Sequence, residues 1–226
     1  MLPLLALPAY GALPGLSAPV VYEVNLRALG PKGGFRELTR RLDGLAKLGT
    51  NVVWLMPIYP VGRVRSAGGL GSPYAVADYD RVNPEFGTAE EFRSLVKRAH
   101  ALKMRVILDW VANHTSWDHP WLKDKDWYSQ DGKGDIIIPP GTNWQDAAEL
   151  NFESVPMRKA MIASMLGWVR RYDIDGFRCD AADFVPADFW RQAIASLREG
   201  SKKPLLFLAE GSKREEFEAG FDLMYG

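Results

Sequence analysis

The sequence predicts an α/β fold in which helices cover a parallel sheet, and three observations support this prediction. From residue 20 onward, about five short apolar runs alternate with segments of helical periodicity, a pattern typical of strands buried on both faces. The turn after the first run lacks the glycine fingerprint of a doubly wound, nucleotide-binding sheet. Polar residues collect directly after the strands, where barrel enzymes carry their active sites. We therefore expect a TIM-type (β/α)8 barrel that is incomplete here, with about five βα units and the start of a sixth strand.

The chain divides into an irregular N-terminal extension over residues 1–19 and a partial barrel over residues 20–226. The extension is uncharged, leucine-rich and interrupted by four prolines. It lacks the positively charged start and the unbroken apolar run of a secretory signal, so no clear signal peptide is predicted. No segment is long enough to span a membrane. A soluble protein is expected, in a compartment that stays unknown.

The elements of the barrel follow from periodicity and capping signals. The first strand is expected at residues 20–26, and apolar residues spaced for one helix face follow until Gly49 ends that helix. A buried run at residues 51–56 is the second strand, and Thr88 with Glu91 forms a capping box at the start of the next helix. The remaining strands are expected at residues 104–109, 175–180, 205–209 and 221–225, and the remaining helices at residues 160–172, 189–197 and 213–219.

Residues 115–154 show no strong period and are interpreted as a short inserted loop region. A loop of this length inside a compact domain is more often functional than incidental. Several aromatic residues lie in polar surroundings here, including Trp117, Trp121 and Trp127. Aromatic faces beside a cleft suit the apolar faces of sugar rings, although such rings can also pin a long loop to the body of a protein.

Composition narrows the class of partner. Lysine plus arginine and aspartate plus glutamate each total 28 residues, so neither nucleic acid nor a membrane surface is indicated and an uncharged partner is expected. The single cysteine, Cys179, excludes an internal disulfide framework and a thiolate zinc cluster. We expect it to be a buried apolar residue.

Two carboxylates follow neighbouring strands of the predicted sheet. Asp180 ends the fourth strand and Glu210 follows the fifth, so both reach one cleft if the strands pair. Arg178 lies on the same strand face as Asp180 and is expected to lower its pKa and keep it ionised. Glu210 has no cation directly before it, so partial burial is expected to raise its pKa.

Such a pair of carboxyl groups has a known chemical use. Retaining glycoside hydrolysis employs two carboxyl groups about 5–5.5 Å apart, one as nucleophile and the other as acid and then base. The alternatives are a structural salt bridge between Arg178 and Asp180 and an exposed acidic strand end at Glu210.

Three of these segments resemble a known family. Asp-Trp-Val-Ala-Asn-His at residues 109–114, Gly-Phe-Arg-Cys-Asp at 176–180 and Ala-Glu at 209–210 are similar in order and spacing to the first three catalytic motifs of the α-amylase family, glycoside hydrolase family 13. Residues 71–88 resemble that family's loop after the second strand. The resemblance covers about residues 20–225 and implies a barrel enzyme that acts on α-1,4-glucans such as starch and maltooligosaccharides.

Position by position, the resemblance implies a role for each candidate residue. Asp180 would be the nucleophile and Glu210 the acid/base of a double displacement. The implied substrate-binding positions are Tyr74, which would stack under the reacting sugar, His114, which would contact its hydroxyls, Arg178, which would orient Asp180, and Asp109, which would support Arg178.

No cofactor is required and no metal is expected among the site residues. In many family members the asparagine that matches Asn113 binds a structural calcium, so a calcium at Asn113 is kept as an alternative to a solvated acidic loop. A metal-dependent hydrolase built on His114 and His119 is a weaker alternative, because the histidine spacings do not place them on one face. The loop also contains aspartates whose carboxylate oxygens are of the type that calcium prefers, but their spacing matches no known calcium loop. These are Asp118, Asp124, Asp126, Asp131 and Asp135.

The family's fourth motif, Asn-His-Asp, has no match in these 226 residues, and strands that would close the barrel are missing. We therefore expect a missing C-terminal segment or a partner chain to complete the barrel. The leading hypothesis is a retaining hydrolase of α-1,4-glucans. A transglycosylase would use the same residues, and a non-catalytic carbohydrate-binding fragment would keep the aromatic cleft without turnover.

Overall fold

A computed structural model describes residues 18–30 and 34–225, and its main feature is a six-stranded parallel sheet curved into a half-barrel. The strands of this sheet are β1 (Val21–Val24), β2 (Val52–Leu55), β3 (Arg105–Val111), β6 (Gly176–Asp180), β7 (Leu206–Ala209) and β8 (Leu223–Met224), paired in that order. Two further strands, β4 (His114–Thr115) and β5 (Ala148–Glu149), form a separate antiparallel pair. The helices are α1 (Phe35–Lys47), α2 (Ala89–Ala101), α3 (Val155–Tyr172), α4 (Ala187–Gly200) and α5 (Arg214–Ala219).

The alternation of side chains along the strands separates two apolar clusters. Residues such as Val53, Val106 and Phe207 pack against the helices in the larger cluster. The residues that alternate with them along the strands point to the concave face of the sheet and form the smaller apolar cluster, whose members lie on β2, β3 and β7. Successive strand residues face opposite sides, so Asp109, Arg178 and Asp180 extend the inner face toward the carboxyl end of the sheet. The members of the smaller cluster are Val52, Trp54, Ile107, Leu206 and Leu208.

Most of the predicted helices and strands are present, but several begin or end at residues other than those predicted. The first strand is shorter than expected because a 3-10 turn over Leu26–Leu29 follows it. Helix α3 begins at Val155, ahead of its periodic apolar stripe, with a proline in its first turn. The capping box of α2 is confirmed, since Thr88 Oγ1 accepts from Glu91 N and Glu91 Oε2 accepts from Thr88 N.

The region at 115–154 is more ordered than the absence of periodicity predicted. Strand β4 pairs with β5 across this region, and two short 3-10 turns lie between them. Strands of two residues are too short to show a period. The predicted extension at residues 1–19 lies almost wholly outside the described residues, as does Gly33. Among the described helices, none combines the length and apolarity needed to cross a membrane.

The start of β6 is held by a close backbone approach and by Asp175. Gly176 has a φ of 143°, and a Cβ there would lie 1.8 Å from the carbonyl oxygen of Leu206, so only glycine fits. Asp175 accepts hydrogen bonds from Val106 N at 2.7 Å and Lys203 Nζ at 2.8 Å. Burial favours a raised pKa for Asp175, but hydrogen bonds, led by the one from His100, outweigh it and lower the pKa.

Candidate active site

One buried guanidinium organises the carboxyl end of the sheet. Arg178 Nη1 donates to Asp109 Oδ1 and to Asp180 Oδ1, each at 2.8 Å. Its Nη2 lies 2.7 Å from Glu210 Oε1. The pairing of β6 with β3 and β7 brings these four residues together. Three carboxylates from three adjacent strands therefore share one cation.

The guanidinium of Arg178 also lies over two aromatic rings. Its central carbon is 4.8 Å from the ring centroid of Trp54 and 5.7 Å from that of Tyr225. Burial alone would lower the pKa of Arg178, but Asp109, Asp180 and Glu210 together raise it. The arginine is thus a fixed, permanently charged group.

Asp109 is fully buried and connects the guanidinium to the pocket. Its Oδ2 accepts from Trp54 Nε1 at 3.2 Å and from the Tyr74 hydroxyl at 3.3 Å. Burial raises the pKa of Asp109, against the opposing effect of Arg178. The contact with Arg178 has the geometry that the resemblance implied, while the role in catalysis stays a prediction.

The electrostatic expectation for Asp180 is wrong in direction. Asp180 contacts Arg178 as expected, but only 8% of its surface is exposed. Burial outweighs the arginine, and the nearby charge of Glu210 acts in the same direction as burial, so the pKa of Asp180 is raised. Sequence spacing showed the cation two residues away but could not show the depth of burial or the second carboxylate.

Glu210 also differs from its predicted surroundings. The sequence shows no cation directly before Glu210, yet Arg178 reaches this carboxylate from the neighbouring strand. Its Oε2 accepts from the backbone N–H of Ala181 at 2.8 Å. The side chain keeps 40% of its surface exposed. Both oxygens are therefore oriented while the group remains accessible from the pocket.

Ala181 is a site residue that the sequence did not indicate. Its φ of 43° and ψ of 46° place a non-glycine residue in the left-handed region, at a cost on the order of 1–2 kcal/mol. This conformation aims its N–H at Glu210, and the next residue donates from its N to the Glu210 carbonyl at 2.9 Å. Strain here serves to join the two carboxylate-bearing strand ends.

A pocket of about 350 Å³ opens above this cluster. Tyr74, His114, Asp180 and Glu210 all line it, so the structure brings these predicted residues to one cavity. Burial lowers the pKa of His114 to about 4, which leaves it neutral at pH 7. Lining residues that the sequence did not indicate are Ser72, Ala75, Trp144, Asp146 and Ala181.

The contacts of Tyr74 and His114 decide what each can offer a ligand. The Tyr74 hydroxyl is directed to Asp109, and burial raises its pKa. The His114 ring lies 5.5 Å from the ring centroid of Trp144. A neutral imidazole beside an indole can hydrogen-bond a hydroxyl without placing a charge in the pocket.

The described residues do not provide a metal centre. No group of three or more His, Cys, Asp or Glu side chains is placed to hold a metal ion in residues 18–30 and 34–225. Asn113, the residue of the calcium alternative, lies with its amide nitrogen 3.4 Å from His114 Nδ1. His119 is buried and accepts from Trp121 N. No step of the chemistry proposed below is routed through a metal.

Cys179 is fully buried, as expected. Burial raises the pKa of its thiol and keeps it in the un-ionised form. A reactive thiolate at this position is therefore disfavoured.

Asp183 and Glu216 are a second pair of neighbouring carboxyl groups, close to the segment that follows Glu210. Glu216 is 2% exposed, and neither its Oε2 nor Asp183 Oδ1 has a hydrogen-bond partner among the described residues. Burial, followed by the charge of Asp183, raises the pKa of Glu216 to about 7. The folded state therefore holds this proton more tightly than the unfolded state.

This linkage predicts a pH-dependent stability. The raised pKa stabilises the fold fully below the usual glutamate pKa, and the contribution is lost as pH rises through about 7. We expect Glu216→Gln to raise Tm at pH 8 by about 2–4 °C and to flatten its fall between pH 5 and pH 8. Glu218→Gln, at an exposed carboxylate on the same helix, is the matched control. Parallel Tm profiles for wild type and Glu216→Gln, measured by scanning calorimetry, would contradict the assignment.

Comparisons with known proteins match this architecture. The family model described as alpha amylase, catalytic domain, matches residues 25–146, just over half of the chain. The crystal structure of an alpha-amylase from Lactobacillus plantarum superposes with a TM-score of 0.86 and 35% identity, covering 92% of this chain and 52% of that one. The shared fold confirms that the curved sheet is part of a TIM-type (β/α)8 barrel.

Curated relatives include both hydrolases and other enzymes. Alpha-amylase MalA of Haloarcula japonica is 26% identical over 219 residues, which is 91% of this chain and 32% of the relative. The trehalose synthase of Pimelobacter sp. is 31% identical over 203 residues, covering 74% of this chain and 34% of the relative. The chain thus spans about a third of the length of these relatives. The matched family model and the shared barrel together place this chain in the α-amylase family of glycoside hydrolases.

Proposed function

We propose that this chain carries the nucleophile and acid/base of a retaining glycosidase that acts on α-1,4-glucans by double displacement. One observation carries the proposal, namely that a single buried guanidinium holds Asp180 and Glu210 side by side at the wall of a pocket. Two carboxyl groups that share one guanidinium are compatible with a covalent intermediate, because a retaining enzyme places them close together whereas an inverting enzyme needs a gap for water between them.

In the first step, an Asp180 oxygen attacks the anomeric carbon of the bound sugar. The glycosidic bond breaks, and Glu210, entering the step protonated, gives its proton to the departing oxygen. The products are an ester between Asp180 and the sugar, and a shortened glucan with a new hydroxyl. Arg178 orients both carboxylates during this step.

In the second step, Glu210 takes a proton from a water molecule or from a sugar hydroxyl as that oxygen attacks the anomeric carbon. The ester bond breaks and Asp180 regains its negative charge. Attack by water gives hydrolysis, and attack by a sugar gives transglycosylation. Tyr74 would pack against the sugar in the pocket, and neutral His114 would bind its hydroxyls.

Closure of the barrel is part of the proposal. Within the described chain, β1 and β8 each pair on one side only, and a closed barrel requires further strands at both edges. We propose that the remainder of a longer chain or a partner chain supplies them. Because β1 and β8 are unpaired at the two edges of the described sheet, a carbohydrate-binding protein without catalytic turnover is the second candidate function.

The proposal is tested by the stereochemistry of the first product. The chain, together with the segment or partner that closes the barrel, is mixed with maltoheptaose, and the anomeric protons are followed by NMR within the first minutes. We expect the α anomer to appear first, because two displacements retain configuration. A β anomer would overturn the double displacement. Binding without cleavage would support the binding-only alternative, and products longer than maltoheptaose would identify a transglycosylase.

A further inference from the structure

The long connection between β2 and α2 carries two residues that line the pocket, Ser72 and Tyr74. The base of this connection is a short antiparallel pairing, in which Gly62 N donates to the Ala75 carbonyl at 2.8 Å. We call residues 60–77 the β2 loop. Because Tyr74 directly precedes this pairing, the position of its ring depends on how the loop is fixed to the rest of the protein.

The side chain of Asp118 joins the β2 loop to the segment that follows β3. Its Oδ2 accepts from the backbone N–H of Arg63 at 2.7 Å and from that of Val64 at 3.4 Å. Its Oδ1 accepts from Ser116 Oγ at 2.6 Å. We call Asp118 with these three hydrogen bonds the Asp118 bridge. The bridge connects the β2 loop to the segment that carries His114, which lies two residues before Ser116.

Close packing and charge both support the Asp118 bridge. A Cβ on Gly62 would lie 2.2 Å from Ser116 Cβ and 2.7 Å from Asp118 Oδ1, so the two segments meet with no room for a side chain between them. Burial favours a raised pKa for Asp118, but its hydrogen bonds, led by the one from Ser116, outweigh burial and lower the pKa. The bridge is therefore made by an ionised carboxylate, whose hydrogen bonds are stronger than those of a neutral group.

Further contacts join the same two segments. The central guanidinium carbon of Arg65 lies 3.8 Å from the ring centroid of Trp117. Arg65 has a φ of 56°, a left-handed conformation that persists in a non-glycine residue only where its surroundings hold it. On the pocket side, burial lowers the pKa of His114, and a hydrogen bond with the Tyr74 backbone acts against burial. The two segments are thus fixed to each other where they form the wall of the pocket.

We propose that Asp118 is a positioning residue, which holds the β2 loop against the segment after β3 and thereby sets the relative position of Tyr74 and His114 in the pocket. This proposal rests on the function proposed above and deepens it by naming a residue on which sugar binding depends. Asp118 is absent from the described residues that line the pocket, so it acts through these two side chains. A misplacement of such groups by about 1 Å can lower a rate about 100-fold.

The test removes the Asp118 bridge and measures turnover of an aryl maltoside by the chain together with the segment or partner that closes the barrel. We expect Asp118→Ala to lower kcat/KM about 30-fold. Asp118→Asn, whose amide oxygen still accepts from the Arg63 N–H, should stay within about 3-fold of wild type. Asp131→Ala is the matched control and should keep the wild-type kcat/KM, because Asp131 also accepts from two backbone N–H groups, those of Lys133 and Asp135, but within its own loop.

A double-mutant cycle separates positioning from a general effect on folding. In a His114→Ala background, one of the two positioned side chains is already missing, so adding Asp118→Ala should cost only about 5-fold or less. A merely structural role would give the same loss of about 30-fold in both backgrounds. Ser116→Ala removes one hydrogen bond of the bridge and keeps the carboxylate. It should give a smaller loss with the same dependence on His114.

Ligand binding gives a readout that does not depend on turnover. In the Glu210→Gln background, calorimetry with maltotetraose should show about 10-fold weaker binding for Asp118→Ala than for Asp131→Ala. Equal binding and equal kcat/KM for these two variants, or full additivity with His114→Ala, would overturn the role of Asp118 and leave the proposed function standing. A wild-type protein that neither binds nor cleaves any maltooligosaccharide would instead overturn the proposed function, and the role of Asp118 with it.

Discussion

Asp180→Asn is expected to reduce turnover of an activated aryl maltoside on the order of 10⁴-fold or more, since loss of a catalytic nucleophile has effects of this size. The amide cannot form the ester on which the double displacement depends. The change removes one negative charge from a buried cluster that holds three carboxylates around Arg178. We therefore expect the variant to fold with unchanged or higher stability. Initial rates and a thermal melt on the same preparation check both statements.

Two further variants separate loss of the nucleophile from a general defect. Asp188→Asn removes an exposed carboxylate that pairs with Arg158 and should keep wild-type rates. Asp180→Ala with added azide should regain activity and give the β-glycosyl azide, because azide attacks once from the vacated side. An α-glycosyl azide from this variant, or near-normal activity of Asp180→Asn, would remove Asp180 from the nucleophile role.

Arg178→Met is expected to destabilise the fold by about 3–5 kcal/mol at pH 8, the usual consequence of removing one partner from a buried charge cluster. Without the guanidinium, Asp109 and Asp180 are left buried without a cation, since both are at most 8% exposed. Chemical denaturation monitored by tryptophan fluorescence measures the difference. Arg178→Lys restores a charge but not the forked geometry that reaches three carboxylates, so its loss should be smaller.

The pH dependence of this loss follows from the carboxylates. Burial raises the pKa of both Asp109 and Asp180, so lowering the pH neutralises the groups that Arg178 compensates. The difference in unfolding free energy between wild type and Arg178→Met should therefore shrink from pH 8 to pH 5. Arg198→Met, which removes a more exposed arginine paired with Asp222, is the matched control. A loss as small as that of the control at pH 8 would contradict the central place of Arg178.

Local pattern was sufficient for much of the architecture because parallel strands are buried on both faces and their helices are amphipathic. The runs that became β2, β3 and β7 were visible as continuous apolar segments. Strands β4 and β5 were not visible in the sequence, since a strand of two residues cannot display a period. Strand β1 ends earlier than predicted because a 3-10 turn follows it. This turn is formed by backbone hydrogen bonds, which the apolar pattern of the sequence does not show.

The sequence by itself predicted the fold class, and it placed Asp180 and Glu210 at the carboxyl ends of two strands that prove to be neighbours. The tertiary structure decided the electrostatics, because the pKa of Asp180 depends on burial and on Glu210, which is distant along the chain. It also decided that Arg178 reaches Glu210 and that Trp144 meets Phe184. Spacing along a strand orders side chains on one face, whereas desolvation and contacts between strands exist only after the sheet has formed.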